Sequence, residues 1–141
     1  MTRRDPLQVL SRIRGVAVTE AQRALAEALA AETRGEAALE AARETLRHEQ
    51  RRTGFAEAVA FAAWLPQARA RIARSEAALK QATAEVARCR AALAARRGDV
   101  EAVATLLREH ANVAALAEQR RGQAILDDAG AQMSRRARSQ A

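Results

Sequence analysis

The chain has 141 residues, enough for one domain but short for two. Its 39 alanines favour helix and bury little surface each, so the composition favours long helices over a thick globular core. The net charge is +7, but the 17 acidic residues are interspersed among the 24 basic ones. Such a mixture is typical of solvated helix faces with ion pairs and argues against a nucleic-acid surface.

The sequence also indicates the compartment. Cys89 is the only cysteine, so no internal disulfide can form and a reducing environment is expected. The first residues lack the apolar stretch of a secretory signal, and no run of about 18 apolar residues occurs. We therefore expect a cytoplasmic protein.

A first helix is predicted over about residues 6–52. Asp5 is a candidate N-cap, Pro6 suits the first helical position, and Gln8 suits a capping box. Mostly large residues recur every seven positions, and mostly small ones follow them three positions later. The large line is Val18, Leu25, Glu32, Leu39 and Leu46, and the small line is Ala21, Ala28, Gly35, Ala42 and Glu49.

The tip of the molecule is predicted at about 53–66, and whether this segment contains a short helix of its own stays open. Thr53 and Gly54 offer a helix stop, with the glycine free to adopt the left-handed conformation. Pro66 suits the start of a second helix. This stretch holds every aromatic residue of the chain, which are Phe55, Phe61 and Trp64.

The second helix, predicted over about 66–134, carries the clearest pattern in the sequence. Apolar residues recur every seven positions without a miss, which indicates one seam facing a partner helix. They are Leu65, Ile72, Leu79, Val86, Leu93, Val100 and Leu107. Beyond Leu107 the seam loosens, and residues 135–141 are expected to form a frayed basic tail.

These features predict an all-α fold, a long antiparallel two-helix coiled-coil hairpin formed by residues 1–141 as a single domain. Antiparallel packing can place a large residue opposite a small one in each layer. One register pairs Ala42 with Leu79, and another, one heptad later, brings Glu32 to Arg96. The sequence leaves the choice between them open.

No catalytic, cofactor-binding or metal-binding motif is found, so we predict no enzyme activity, no cofactor and no metal. His48 and His110 lack ligand partners at suitable spacing, and Cys89 falls on the small line of the seam. Trp64 has two interpretations that stay open. A partner could bury it, or it could pack with the two phenylalanines of the tip.

With the hairpin established, the chain resembles the flagellar type III export FliJ family. The residues that carry the resemblance are four segments of sequence. They are Pro6-Leu7-Gln8-Val9-Leu10 with Arg12 and Arg14, the stretch 100–106, the stretch 114–119, and Leu126-Asp127-Asp128-Ala129.

The resemblance implies a non-enzymatic stalk of the flagellar export apparatus, similar to the shaft of rotary ATPases. Implied partners are the hexameric export ATPase, the cytoplasmic domain of the export gate, and export chaperones, with no nucleic acid. The implied location is cytoplasmic, peripheral to the inner membrane through these partners.

The resemblance also implies two contact regions. The gate contact maps onto Leu39, Ala42, Thr45, Glu49, Trp64, Ala68 and Arg71, several of which are smaller or less aromatic than is usual in the family. The end that enters the ATPase maps onto Arg3, Arg4, Arg12, Arg14, Arg135, Arg136 and Arg138.

Three alternatives remain open at this stage. The first is the related stalk of injectisome secretion systems. The second is a basic helical nucleic-acid binder, whose affinity would collapse as salt rises. The third is self-association through the exposed length of the C-terminal helix.

Overall fold

The structure, a computed structural model, describes residues 5–139. Two long helices account for nearly all of them, and no strand occurs in this part of the chain. Helix α1 covers Pro6–Arg52 and helix α2 covers Ala58–Ser139, with a short 3₁₀ helix, Phe55–Glu57, before α2. The chain is thus an all-α protein, as the heptad pattern predicted. It divides into two compact units.

The larger unit, Arg14–Gly98, is a helical hairpin, hereafter the hairpin unit. Here α1 packs antiparallel on α2, and Arg43 of α1 donates a hydrogen bond to Glu76 of α2 over 2.9 Å. Its buried side chains are all apolar, and each is either a seam residue of the seven-residue repeat or the residue three positions after one. They are Ala28, Leu39, Ala42, Ala68, Val86 and Leu93.

The second unit, hereafter the terminal unit, combines residues 5–13 of α1 with residues 99–139 of α2. Its one buried residue among those described is Val103, which is 6% exposed. Leu7, Leu10 and Leu107 are half-buried. The first turns of α1 therefore lie on α2 around Val103, and this unit too uses leucine and valine as its seam.

Each predicted seam residue is buried or half-buried. In the hairpin unit they are Val18, Leu25, Leu39, Leu46, Leu65, Ile72, Leu79, Val86 and Leu93, and in the terminal unit they are Val100 and Leu107. The residues that follow the α2 seam residues by three positions are buried or half-buried as well, except Arg96 and His110, which are exposed. A charged or polar side chain is cheaper to leave in water than to bury between two helices.

The pairing register differs from both that the sequence suggested. A Cβ added to Gly35 would lie 3.5 Å from Cδ1 of Leu79, so Gly35 faces Leu79. The expected partner of Leu79 was Ala42, seven residues later. At this layer a large residue still faces a small one, but the two helices are offset by one heptad from the expected pairing. A seven-residue repeat looks the same after every heptad, so it does not specify the offset between the helices.

The tip is shorter than predicted, because α2 begins at Ala58 and not near Pro66. Residues 56–63 are alanine-rich, and the half-buried Phe61, Trp64 and Leu65 hold this segment against the hairpin. Pro66 therefore lies inside the helix, where it lacks the N–H that would bond the carbonyl of Ala62. The predicted start of the second helix at Pro66 was wrong.

Helix α1 begins and ends with side-chain capping. Oδ1 of Asp5 accepts a hydrogen bond from the Leu7 N–H over 3.0 Å, so Asp5 is the predicted cap. At the other end, the Thr53 hydroxyl donates to the Glu49 carbonyl over 2.7 Å. Gly54 is extended, with φ −85° and ψ 174°, and not left-handed as expected. It caps the 3₁₀ helix instead of the end of α1.

The C-terminal end of α2 also differs from prediction. The helix continues to Ser139, through most of the segment expected to fray at 135–141. Arg136 and Arg138 lie in its last turn, where positive charge is favourable against the helix dipole. Residues 140 and 141 fall outside the described residues. That the whole chain, residues 1–141, forms a single hairpin domain stays a prediction.

Candidate partner-binding site at the hairpin tip

Two grooves flank Trp64 where α1 ends and α2 begins. The first, the Phe61 groove, encloses about 430 Å³. The second, the Arg71 groove, encloses about 230 Å³. Thr45 and Trp64 line both grooves, so the indole and the threonine form the ridge between them.

The Phe61 groove combines an aromatic wall with charged residues of the end of α1. The rings of Phe61 and Trp64 lie 5.7 Å apart at a tilt of 42°, within the range of favourable aromatic pairs. The remaining lining residues come from both sides of the tip. They are Glu49, Arg52, Thr53, Glu57 and Ala60.

The Arg71 groove is smaller and more basic. Its floor is formed by Ala42 and Ala68, which are 4% and 8% exposed. Arg71 and Arg74 stand along its α2 side and are exposed. Small side chains on both helices leave space between them, and the long arginine side chains line this space.

The structure brings together most of the predicted gate-contact residues. Ala42, Thr45, Trp64, Ala68 and Arg71 line the Arg71 groove, and Glu49 lines the Phe61 groove. Leu39, the remaining predicted member, is 7% exposed and lines neither groove. Its side chain is part of the hairpin seam.

Sequence reasoning missed several lining residues. Arg52, Thr53, Glu57, Ala60 and Phe61 line the Phe61 groove, and Gln67 and Arg74 line the Arg71 groove. The helical spacing of 61, 64, 67, 71 and 74 places these positions along one side of α2. Positions 67, 71 and 74 lay inside the helix predicted from Pro66, but 61 and 64 did not, so the continuation of this side toward the tip was missed.

The open question about Trp64 is answered in part. Phe61 packs beside it, but Phe55 is fully exposed and does not close the tip. Trp64 itself is half-buried. Part of the indole therefore remains available on the wall of each groove, and an exposed aromatic edge in a groove is a common anchor for a protein partner.

Ion pairs fix the charges near the tip. Glu44 lies 2.7 Å from Arg47 and 2.8 Å from Arg51, and these two guanidinium groups lower the pKa of its carboxyl. Arg52 lies 3.8 Å from Glu49. All these side chains are largely exposed, so the pairs contribute little to stability but keep arginine and carboxylate groups arranged along the surface.

The arginines predicted to contact the ATPase are spread along the chain and do not form one cluster. Arg12 and Arg14 lie on α1, exposed and half-buried respectively, and Arg3 and Arg4 lie outside the described residues. Arg135, Arg136 and Arg138 are exposed. They follow Val103 by about 30 residues, or roughly 50 Å of helix, so the terminal unit does not bring them close to Arg12.

Cys89 lies on the seam and is half-buried. Its thiol is 3.6 Å from Oε1 of Glu85, whose other carboxylate oxygen accepts hydrogen bonds from Arg88. Partial burial raises the pKa of the thiol, and the carboxylate raises the pKa further. A thiol with a raised pKa is a weak nucleophile at neutral pH.

We therefore expect Cys89 to alkylate slowly with iodoacetamide at pH 8 and faster as the pH rises, because only the thiolate reacts. Glu85→Gln removes the negative charge and should speed the reaction at pH 8. In Cys89→Ser no label should be incorporated. Labelling of Cys89 as fast as that of glutathione at pH 8 would contradict the assignment.

No three histidine, cysteine, aspartate or glutamate residues among the described ones are grouped so as to hold a metal ion. No helix in the described part of the chain is long and apolar enough to cross a membrane. The fold and its tip grooves thus define an α-helical coiled-coil protein with a candidate protein-binding site at the tip.

The chain belongs to the flagellar FliJ protein family, whose pattern it matches over residues 3–139. That match covers nearly the whole chain. It identifies a flagellar export-related protein, in a family of non-catalytic export components. Searches of curated proteins and of solved structures found no match.

Proposed function

We propose that this protein is a non-enzymatic stalk of the flagellar export apparatus, working in the cytoplasm at the inner membrane. It enters the ring of the hexameric export ATPase and contacts the export gate and export chaperones. The observation that carries the proposal is the family match over residues 3–139, together with the antiparallel pairing of α1 and α2 in the hairpin unit. A coiled coil is stiff and narrow, as a shaft requires.

The two contact regions bind different partners. The tip grooves around Trp64 bind the cytoplasmic domain of the export gate, with the indole as the apolar anchor and Arg71 and Arg74 at the rim. The exposed arginines of the last turns of α2 face acidic groups inside the ATPase ring.

The arginine distribution supports protein partners over nucleic acid. Many arginines on both helices are paired with glutamate, as in Arg43 with Glu76 and Arg108 with Glu101. A phosphate-binding surface instead presents a continuous patch of unpaired cations. Family membership likewise favours the flagellar system over the injectisome.

We expect the purified protein, at amounts equal to the ATPase hexamer, to raise the rate of ATP hydrolysis by the export ATPase of the same organism. Replacing Arg135, Arg136 and Arg138 together by glutamate should abolish most of this stimulation, since opposite charges then become like charges. The matched control replaces three other exposed arginines of α2 by glutamate. These are Arg69, Arg90 and Arg97.

The phosphate released per minute measures this effect at two salt concentrations. If the contact is ionic, stimulation by the wild-type protein should fall as salt rises. No stimulation at equal amounts would count against the stalk, and equal losses in the two triple variants would count against the C-terminal arginines alone.

A further inference from the structure

The tip exposes two large apolar side chains that take no part in the hairpin seam or in the grooves. Phe55 is fully exposed and Val59 is 84% exposed, the two highest values among the large apolar side chains of the described residues. Neither lines the Phe61 groove or the Arg71 groove. Exposed apolar surface that the fold itself does not use often marks a contact with a protein partner or with a membrane.

These side chains belong to an uninterrupted apolar stretch of sequence. From 58 to 66 no residue is charged, and only Trp64 has a polar group in its side chain. A helical segment that is apolar on every side is normally buried on every side, but here Phe61 and Trp64 use only the groove side. The opposite side, together with Phe55 before it, is hereafter the outer face. Its members in α2 recur at helical spacing and are all exposed, and they are Val59, Ala62, Ala63 and Pro66.

The outer face is surrounded by positive charge. Residues 50–75 contain five arginines and one glutamate. All five arginines are exposed, and they are Arg51, Arg52, Arg69, Arg71 and Arg74. The last three have no ion-pair partner in the part of the chain that the structure describes. The single carboxylate, of Glu57, lines the Phe61 groove and accepts a hydrogen bond from the Gly54 N–H over 3.4 Å, so it belongs to the groove side.

We propose that the outer face binds directly to the surface of an anionic lipid bilayer. Phe55 and Val59 enter the boundary between headgroups and acyl chains, as the apolar face of an interfacial helix does. The surrounding arginines are attracted to the lipid phosphates, and each cation close to an anionic surface strengthens the attraction. This contact goes beyond the proposed function, which names protein partners alone, and its test does not depend on that function.

The chemistry of the outer face favours lipid over a protein as the occupant. A protein interface makes about one hydrogen bond per 100–200 Å² of buried area, and such bonds fix the position of the partner. None of the side chains of the outer face can donate or accept a hydrogen bond. An interfacial helix needs no such bonds, since it is held by apolar burial and by the attraction of flanking cations to anionic headgroups.

Lipid and the export gate can bind the tip at the same time. The grooves lie on the other side of α2, and neither Phe55 nor Val59 lines them. The outer face is short, so its affinity for lipid alone is modest. A partner that already holds the protein beside a membrane raises the local concentration of lipid, and a modest affinity then suffices.

Cosedimentation of the purified full-length chain with lipid vesicles tests the contact. The chain should bind vesicles of phosphatidylglycerol mixed with phosphatidylcholine, bind vesicles of phosphatidylcholine alone far less, and dissociate as salt rises. Val59→Asp should lower the partition coefficient at least about tenfold, because a charge that anionic lipid repels replaces an apolar side chain. Val113→Asp, at a valine of α2 that is 64% exposed and lies outside the tip, is the matched control and should bind like wild type.

A second pair of variants separates the outer face from the grooves. Phe55→Ser should weaken vesicle binding several-fold but keep the wild-type affinity for the gate domain, whereas Phe55→Leu, which keeps an apolar side chain, should retain most of the vesicle binding. A wild-type chain that does not bind anionic vesicles would overturn the proposal. So would a Val59→Asp variant that binds these vesicles like wild type. If that variant also lost affinity for the gate domain, the outer face would be a protein contact.

A fluorescent probe tests whether the tip itself enters the lipid. In a Cys89→Ser background, an environment-sensitive fluorophore attached at Phe55→Cys should shift its emission to shorter wavelength with anionic vesicles and be quenched by brominated acyl chains. The same fluorophore at Val113→Cys should show neither change. Equal responses at the two positions would overturn the outer face as the contact, since the chain would then adhere through its overall positive charge.

Discussion

Replacing Val86 by aspartate is expected to destabilise the hairpin unit by at least about 3 kcal/mol. Val86 is 2% exposed, the least exposed of the buried side chains, and lies one heptad from both Leu79 and Leu93. The change loses about 1.5–3 kcal/mol of apolar burial and places a carboxylate between two helices. Urea unfolding followed by circular dichroism should show a lower midpoint with a similar slope.

The pH should modulate this loss in a defined direction. Burial raises the pKa of an introduced carboxyl, so the folded variant binds its proton more readily than the unfolded chain does. The destabilisation of Val86→Asp relative to wild type should therefore shrink as the pH falls below that raised value. At neutral pH, where the carboxylate is charged, the loss should be largest.

The chain offers a matched control in the same helix. Val59 is 84% exposed, so Val59→Asp should change the midpoint little beyond the small difference in helix propensity. Equal losses at the two valines would contradict the heptad seam as the source of stability. The contrast isolates position, since the residue types before and after substitution are identical.

The sequence predicted the helices and their buried faces because these depend on local order. A strict seven-residue repeat determines which side chains share one face, and Leu39, Val86 and Leu93 are all buried. The start of α1 was also predictable, since Asp5 caps it with its own side chain, and the position of its end at Thr53 was predicted although Gly54 is extended and not left-handed. None of these features requires knowledge of the partner helix.

Features that depend on the pairing of the helices were not predictable. Shifting the register by one heptad leaves each heptad line facing the other line, so the pairing of Gly35 with Leu79 follows only from the length of the tip. The tip is shorter than Pro66 suggests, because the alanine-rich turns before this proline are already helical. The grooves around Trp64 were therefore not predicted either, because they depend on the register and on the tip length. The Phe61 groove in particular is built from turns that were assigned to the tip.

Carboxylates on the surface of the hairpin unit are paired with arginine side chains. In the hairpin unit, Glu44 accepts hydrogen bonds from Arg47 and Arg51, and Glu85 from Arg88. Each carboxyl pKa is lowered by its arginine partners. These carboxylates are therefore charged at neutral pH, and a partner that binds here meets preformed ion pairs and not free arginines.

The tip provides the second large effect, which concerns binding. We expect Trp64→Ala to weaken binding of the protein to the cytoplasmic domain of the export gate at least about tenfold. The indole lines both grooves and packs against Phe61, so truncation removes the wall that the two grooves share. Titration calorimetry with the purified gate domain measures the dissociation constant.

Two controls distinguish anchoring from folding. Phe55→Ala removes an aromatic ring that is fully exposed and lines neither groove, and it should leave the dissociation constant unchanged. Trp64→Phe keeps an aromatic wall and should recover part of the lost affinity. Since α1 and the rest of α2 do not depend on the indole, the helical circular dichroism of all three variants should match wild type. Unchanged gate affinity in Trp64→Ala would remove the tryptophan as the anchor, and a loss equal in Phe55→Ala would move the contact from the grooves to the exposed end of the tip.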